Sequence, residues 1–389
     1  MRVRSRLSAV HPDPLAAARS LAALIDAEAA SGDDGRTLTG PVVDAIIHAG
    51  LFELMVPREL GGIEADAVTT LAVFEELSRA DGSTGWSFLA NVTTTAFAAA
   101  YTGDAAVKEM FGGPRPAIHA GMLGPRGEAV QTDGGYRVHG RYSFGSGCAH
   151  AGWIGAGTLV TRDGAFVAAP SGLPEMRVVF VPRDRVVFLD NWDVLGLSGT
   201  GSFDYELPDQ FVDDAFTFPL TAEVARRGGP VYRLGVLALT SVGHCGFALG
   251  VGRRALEEIA RISATKQRMG ATTPIREQQL FQHDFAFQEA ALRAARAYAF
   301  EVFGAAQATV ENGDGLTAEQ LHRVRQATTY ATRVAAEATR FAYTWAGTDA
   351  LRPSPLQRCF RDIHAATQHI FVDNSTLTNA APILLAAYE

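Results

Sequence analysis

The hydrophobic period of this chain changes twice, and that succession restricts the fold more than any single motif. Residues 12 to about 114 are rich in Ala and Leu at helical spacing. "DPLAAARSLAALIDAEAA" reads as an amphipathic helix opened by Asp13 and Pro14. "TGPVVDAIIHAGLFELMVP" reads as a second, and the stretch from "ELGGIEADAV" to "AFAAAYTG" as two or three more. Around residue 115 the texture changes. "AVQTDGGYRVHGRYSFGSGCAHAGWIGAGTLV" alternates and is rich in Gly, Val, Tyr and Thr, and "GGY" marks a hairpin turn. From about 230 the helical period returns over 231–262, 275–311, 317–347 and 355–387. This order predicts an α+β chain: an N-terminal helical domain (1–114), a central antiparallel β-barrel-like domain of short strands (115–218) and a C-terminal four-helix bundle (219–389).

Composition narrows the function classes. With 389 residues, 47% of them hydrophobic, the chain can bury a large core. A net charge of −8 and the lack of a basic stripe argue against nucleic acid. No run of about 18 uninterrupted apolar residues predicts a membrane span, and the basic start "MRVRSRLSAV" lacks the apolar run of a signal peptide. Cys148, Cys245 and Cys359 are isolated, fitting neither a disulfide framework nor a zinc site. A reducing, cytoplasmic setting is expected.

The closing stretch "RCFRDIHAATQHIF" (358–371) poses the sharpest question. It reads as a helix with Pro355 at its entrance. Its histidines, His364 and His369, would point about 140° apart, so one helix face could not offer both to a metal. On the face of His369 lie Asp362, Ala365, Ala366 and Asp373. The alanines either pack the ring into a core or leave room for a ligand in front of it.

Four stretches carry a family resemblance: "VPRELGG" (56–62), "GRYSFGSGCAHAGW" (140–153), "WDVLGLSGTGSFDYEL" (192–207) and "KQRMG" (266–270). With the order of textures they resemble the acyl-CoA dehydrogenase superfold over essentially the whole chain. Dehydrogenases of that fold place a glutamate eight residues after the Asp of "RD" on the closing helix; here that place is Ile370, with His369 just before it. A second subset carries its glutamate on the first bundle helix, yet residues 231–256 contain no Glu or Asp. Without a carboxylate base the dehydrogenase chemistry is hard to run. "FRDIHAATQHI" and "SFGSGCAHAGW" instead resemble the two-component (group D) monooxygenases that depend on reduced flavin.

That resemblance implies a set of roles. FADH2 or FMNH2 would arrive from a separate NAD(P)H:flavin reductase, O2 would be the co-substrate, and a C4a-hydroperoxide would hydroxylate an aromatic ring. "GLSGTGS" lacks the spacing and the following helix of a dinucleotide fingerprint, so the chain is not expected to take electrons from NAD(P)H itself. Ser146, or more weakly Ser143, would accept the flavin N5–H, and Phe144, Gly145 and Trp192 would flank the ring. The bland alternative for Ser146 is a hydroxyl satisfying a turn. Lys266 and Arg268 would meet cofactor phosphate, unless they are a solvated basic turn. His369 would be the general base or hydrogen-bond partner of the substrate, a phenol or indole. Asp362 or Asp373 could orient its ring, although structural pairing with an Arg is the simpler role for Asp362.

Asn91, Thr94, Thr95, His119, Gly121 and Trp345 would line the substrate. Thr94 or Thr95 and Gly121 stand where phenol hydroxylases of the group carry a His and a Ser. That departure points to a larger, flatter aromatic, indole-containing or polycyclic. Trp86 reads as core; His150 as structural at the sheet edge; His11, His48, His139, His283 and His322 as solvated or packed. A homotetramer or homodimer with flavin at a subunit interface is implied. The rival readings are an acyl-CoA dehydrogenase-like flavin oxidoreductase, an N- or S-oxygenase on the same fold, and a scaffold that binds no flavin.

Overall fold

Asp13 opens the first helix as expected: its carboxylate accepts the Leu15 N–H at 3.1 Å, ahead of Pro14 at the first helical position. The computed structural model describes residues 12–222, 224–386 and 388. The basic leader and His11 lie outside the described residues. Five helices form the N-terminal layer: α1 (Pro14–Gly35), α2 (Gly40–His48), α3 (Ala67–Ala80), α4 (Gly82–Tyr101) and α5 (Asp104–Phe111). Helix α4 is buried along nearly its whole length, because its Ala, Thr and Gly residues offer no bulk to hold neighbours away.

The middle of the chain is one sheet of β1 (His119–Thr132), β2 (Gly135–Gly145), β3 (Trp153–Arg162), β4 (Ala165–Phe166), β5 (Met176–Pro182), β6 (Val187–Phe188), β7 (Phe203–Asp213) and β8 (Thr217–Pro219). The spatial order is β6-β7-β2-β1-β3-β5-β8, with β4 on β3. The expected hairpin joins β1 to β2 through Asp133 and Gly134, the glycine at φ +74°. The expectation of a purely antiparallel domain needs correction. Strand β3 re-enters on the far side of β1 and runs parallel to it. Side-chain alternation is the same in both pairings, so the sequence pattern does not distinguish them.

The C-terminal layer contains α6 (Gly235–Ile262), α7 (Gln279–Glu311), α8 (Ala318–Ala346), α9 (Pro355–Ala366) and α10 (Asn374–Ala386). Three long helices stand as expected, and Thr317 with Gln320 forms a capping box at the start of α8. Helix α6 is long and apolar enough to cross a membrane, but its most apolar stretch is mostly buried between the other helices. Gly246 and Gly250 allow that: a Cβ at Gly250 would come 2.3 Å from the Glu75 carbonyl oxygen on α3, and one at Gly246 2.6 Å from the Phe74 Cβ.

The fourth long helix is not continuous, which corrects the reading of 355–387 as one element. Helix α9 ends at Ala366. The Thr367 hydroxyl donates to the His364 carbonyl, the His369 N–H to the Ala366 carbonyl at 3.1 Å, and His369 Nδ1 accepts the Phe371 N–H at 3.3 Å. Side chain-to-backbone bonds of this kind compete with the helical ladder and end it. His369 therefore caps a short 3-10 turn, Ile370–Val372, rather than sharing a helix face with Asp362 and the alanines.

Candidate active site

Strand β2 delivers Ser146 into the molecule through a kink. Phe144 adopts a left-handed backbone (φ +67°), so the aromatic stays outside, 58% exposed, while Ser146 turns inward and is buried. A row of hydroxyls continues from it: Ser146 Oγ lies 2.6 Å from Ser202 Oγ, which lies 2.7 Å from Thr200 Oγ1, and Thr200 donates to the Leu197 carbonyl at 2.7 Å. The direction of this row follows from counting hydrogens. Thr200 spends its hydrogen on the carbonyl, so Ser202 donates to Thr200 and Ser146 donates to Ser202. Trp86 Nε1 donates into Ser146 at 3.2 Å. A hydroxyl has one hydrogen and two lone pairs, so Ser146 retains one lone pair as a free acceptor.

The Trp86 indole links this hydroxyl row to the histidine of the closing segment. Its ring meets His369 edge-on at 5.6 Å between centroids, and His244 of α6 and Phe247 each at 5.0 Å. His244 and His369 lie 4.3 Å apart, tilted by 34°, and Phe371 stacks on His244 at 5.2 Å. Burial among these rings disfavours the charged imidazole. It pushes His369 from 6.5 down to about 4 and His244 well below its ordinary value, with the neighbouring His369 adding to the effect on His244. Both rings are neutral near pH 7.

The loop carrying Thr200 and Ser202 is held from behind by α9. Asp362 Oδ1 accepts the Leu197 N–H at 2.6 Å, Arg361 donates to the Leu195 carbonyl, and Trp192 Nε1 donates to the Leu197 carbonyl at 3.2 Å. Asp362 is thus structural, as favoured from sequence, but its partner is a backbone amide; Arg361 pairs with Asp33 at 3.0 Å. Asp373 accepts the Ser375 N–H instead of reaching the ring of His369.

The other expected residues divide into groups. Phe144 and Trp192 meet edge to face at 6.2 Å, Gly145 is buried with Phe203 and Tyr205 as its neighbours, and Ser143 is exposed. Asn91 Nδ2 donates to the carbonyls of His119 and Gly147, and Thr95 accepts the His119 N–H. These two brace the sheet against α4, where Thr94 is also buried. His119 is fully buried, stacked on Phe111 at 5.3 Å with its Nε2 3.3 Å from Met110 Sδ, and burial lowers it to about 3. Gly121 has φ +135°, and a Cβ there would come 2.0 Å from the Gly155 carbonyl oxygen, so glycine serves the close approach of β1 to β3.

Lys266, Arg268 and Trp345 come together elsewhere. Lys266 pairs with Asp349 at 2.7 Å, Arg268 lies over the Trp345 ring at 4.4 Å, and Trp345 meets Phe281 edge-on. That cluster precedes the start of α9 in the chain, whereas His369 follows its end, and the 12-residue helix between is about 18 Å long. A groove of about 450 Å³ between α6 and α7 includes none of these residues; its polar lining is ion-paired Glu and Arg side chains such as Glu75 with Arg296.

Two members of the site were not singled out from sequence. His244 sits alone among small and apolar residues in "TSVGHCGFALG", and that isolation in a buried helix was the available signal. Trp86 is buried as expected, but its N–H and edge also connect Ser146 to the histidines.

Residues 16–114 match the family model "Acyl-CoA dehydrogenase, N-terminal domain", and residues 242–374 match "Acyl-CoA dehydrogenase, C-terminal domain". The chain is 30% identical over 386 residues to an indole-3-acetate monooxygenase of Pseudomonas putida, covering 96% of this chain and 95% of that one. It is 27% identical to the oxygenase component of an FADH2-dependent resorcinol hydroxylase from Rhizobium sp., covering 60% of this chain and 56% of that one. The crystal structure of the HsaA monooxygenase from M. tuberculosis superimposes with a TM-score of 0.88 at 24% identity, over 96% of this chain and 97% of that one.

Proposed function

The chain belongs to the flavin-dependent monooxygenases built on the acyl-CoA dehydrogenase fold, and we propose that Ser146 and His369 are its working residues on an aromatic substrate. It is an oxygenase component: reduced flavin comes from a separate reductase, and an aromatic carbon is hydroxylated. When bound, the reduced flavin supplies the electrons that activate O2 and delivers one oxygen atom. The residues present fit that group. Ser146 has a free lone pair for a flavin N–H, and the exposed Phe144, packed edge to face against Trp192, offers an aromatic surface at the neighbouring turn of the strand. His369, neutral and half-buried, is the hydrogen-bond partner of the substrate. The observation that supports this reading is that Trp86 donates its N–H to Ser146 at 3.2 Å while the same ring meets that of His369 edge to face at 5.6 Å.

The dehydrogenase alternative is not favoured. Ile370, in the 3-10 turn after α9, stands eight residues after Asp362 where the dehydrogenases carry their glutamate, and the glutamates of α6, Glu257 and Glu258, are ion-paired to Arg79 and Arg254. Lys266 and Arg268 remain the proposed phosphate contacts, and a flat aromatic of the indole or polycyclic kind the proposed substrate. We place a second copy of this chain against the site, as a homodimer or homotetramer. Leu195 and Ile370, 73% and 72% exposed, flank it with apolar surface that a solvated monomer does not need.

The test is titration with FAD and FMN in both redox states, followed by turnover with photoreduced flavin, O2 and indole. Reduced flavin is expected to bind about ten- to a hundredfold tighter than oxidised flavin, because only the reduced ring donates a hydrogen to Ser146. Hydroxylated indole should form, and NAD(P)H should not be consumed by the protein alone. A stoichiometric yellow complex that survives dialysis and bleaches with acyl-CoA would refute the reading.

A further inference from the structure

His244 and His369 are two imidazoles in one place, and their surroundings make them unequal. The Phe371 backbone amide can only donate, so the 3.3 Å bond it makes leaves His369 Nδ1 as the acceptor. A neutral imidazole carries one hydrogen. With Nδ1 bare, that hydrogen is on Nε2, and the free nitrogen of His369 can donate but not accept. His244 is only 4% exposed, yet it has no hydrogen-bond or ion-pair partner among the described residues. Its neighbours are His369, Trp86 and Phe371, which offer ring faces and edges rather than polar partners.

Resting on the flavin-monooxygenase reading of this site, we propose that His244 is the group that accepts the polar hydrogen of the substrate, an indole N–H or phenol O–H, while His369 donates from Nε2. The chosen substrate is then an aromatic that carries such a hydrogen on or next to its ring, seated against the two imidazoles and the Trp86 and Phe371 rings. The hydrogen bond pulls electron density into the ring carbon that takes up oxygen. Since neither ring pairs with a carboxylate among the described residues, His244 acts as a neutral acceptor rather than as half of a charge pair.

The experiment measures binding of indole and of 1-methylindole by calorimetry without flavin, so it does not depend on turnover. Wild type should bind indole about tenfold or more tighter than the methylated probe, because a site built around a hydrogen-bonded N–H disfavours the analogue lacking it. His244→Phe, which keeps a ring against Trp86 and Phe371, should remove that preference. His244→Gln, which keeps an acceptor oxygen, should restore part of it. His369→Gln, which keeps a donor, should leave the preference within about threefold of wild type. Loss of the preference in His369→Gln with retention in His244→Phe would overturn the assignment, and so would a wild type that binds both probes equally or binds neither. Should His244→Phe not fold, His244→Gln and His369→Gln still decide. A wild type that prefers indole but never hydroxylates it with reduced flavin would refute the monooxygenase reading and leave the His244 assignment standing.

Discussion

Ser146 can serve as an acceptor because its own hydrogen is committed elsewhere. The Thr200 and Ser202 hydroxyls drain in one direction, to the Leu197 carbonyl, so the order is imposed by a backbone group that cannot donate. Ser146→Ala should therefore do two things. It removes the acceptor of a buried Trp86 N–H, costing about 1–3 kcal/mol of stability by urea unfolding. If Ser146 accepts the flavin N–H as proposed, the change also removes that acceptor, so more of the oxygen consumed should appear as H2O2, measured per reduced flavin oxidised. Unchanged coupling to product would show that Ser146 only satisfies the turn. "F-x-S-G" made Ser146 visible in the sequence through its resemblance. The direction of its hydrogen bonds was not visible, because it depends on Thr200 and Ser202, more than fifty residues further along the chain.

Helix α9 works as a clamp on the loop between β6 and β7. Its Asp362 carboxyl is fully buried on the Leu197 amide, with Asp81 close by, and burial first and that second acid next raise it well above the usual carboxylate range. Two buried acids without full compensation repel whenever both ionise. Asp362→Asn keeps an acceptor and removes a charge, so at about pH 8 it should be as stable as wild type or more so, to within about 1 kcal/mol. Asp362→Ala leaves the Leu197 amide unpaired and should cost about 1–3 kcal/mol. Hydrogen exchange at residues 195–200 should rise in the alanine variant only; protection unchanged in both variants would show that the clamp is elsewhere. At this scale periodicity located the long helices but ran through the break after Ala366. Thr367, Gln368 and His369 are tolerated in helices, and the break comes from side chains bonding to nearby backbone. The sheet's parallel pair escaped for a related reason, since alternation reports which face is buried and not the direction of the neighbour.

Across the whole molecule, buried neutral histidines should shape the acid limb of stability. Desolvation lowers His119 from 6.5 to about 3, His150 to about 4 and His369 to about 4. Each folded value lies below the unfolded one, so the unfolded chain takes up protons first as pH falls. The contribution is complete above about pH 6.5 and is lost progressively as pH falls to about 4 for His150 and His369 and to about 3 for His119. His119→Phe should fit its aromatic cage and flatten this limb. Its urea midpoint should gain on that of wild type as pH falls from about 6.5 to 4, and parallel curves would contradict the burial argument. The fold class, the helix–sheet–helix order, the cap at Asp13, the hairpin at Gly134 and the candidacy of His369 were all carried by the sequence, because each rests on local pattern or on a motif a few residues long. The meeting of Trp86, Ser146, His244 and His369 was not. Four elements far apart along the chain bring those side chains together. Periodicity reports that each is buried, while only the packing of α4, α6, β2 and the segment after α9 decides which buried groups touch.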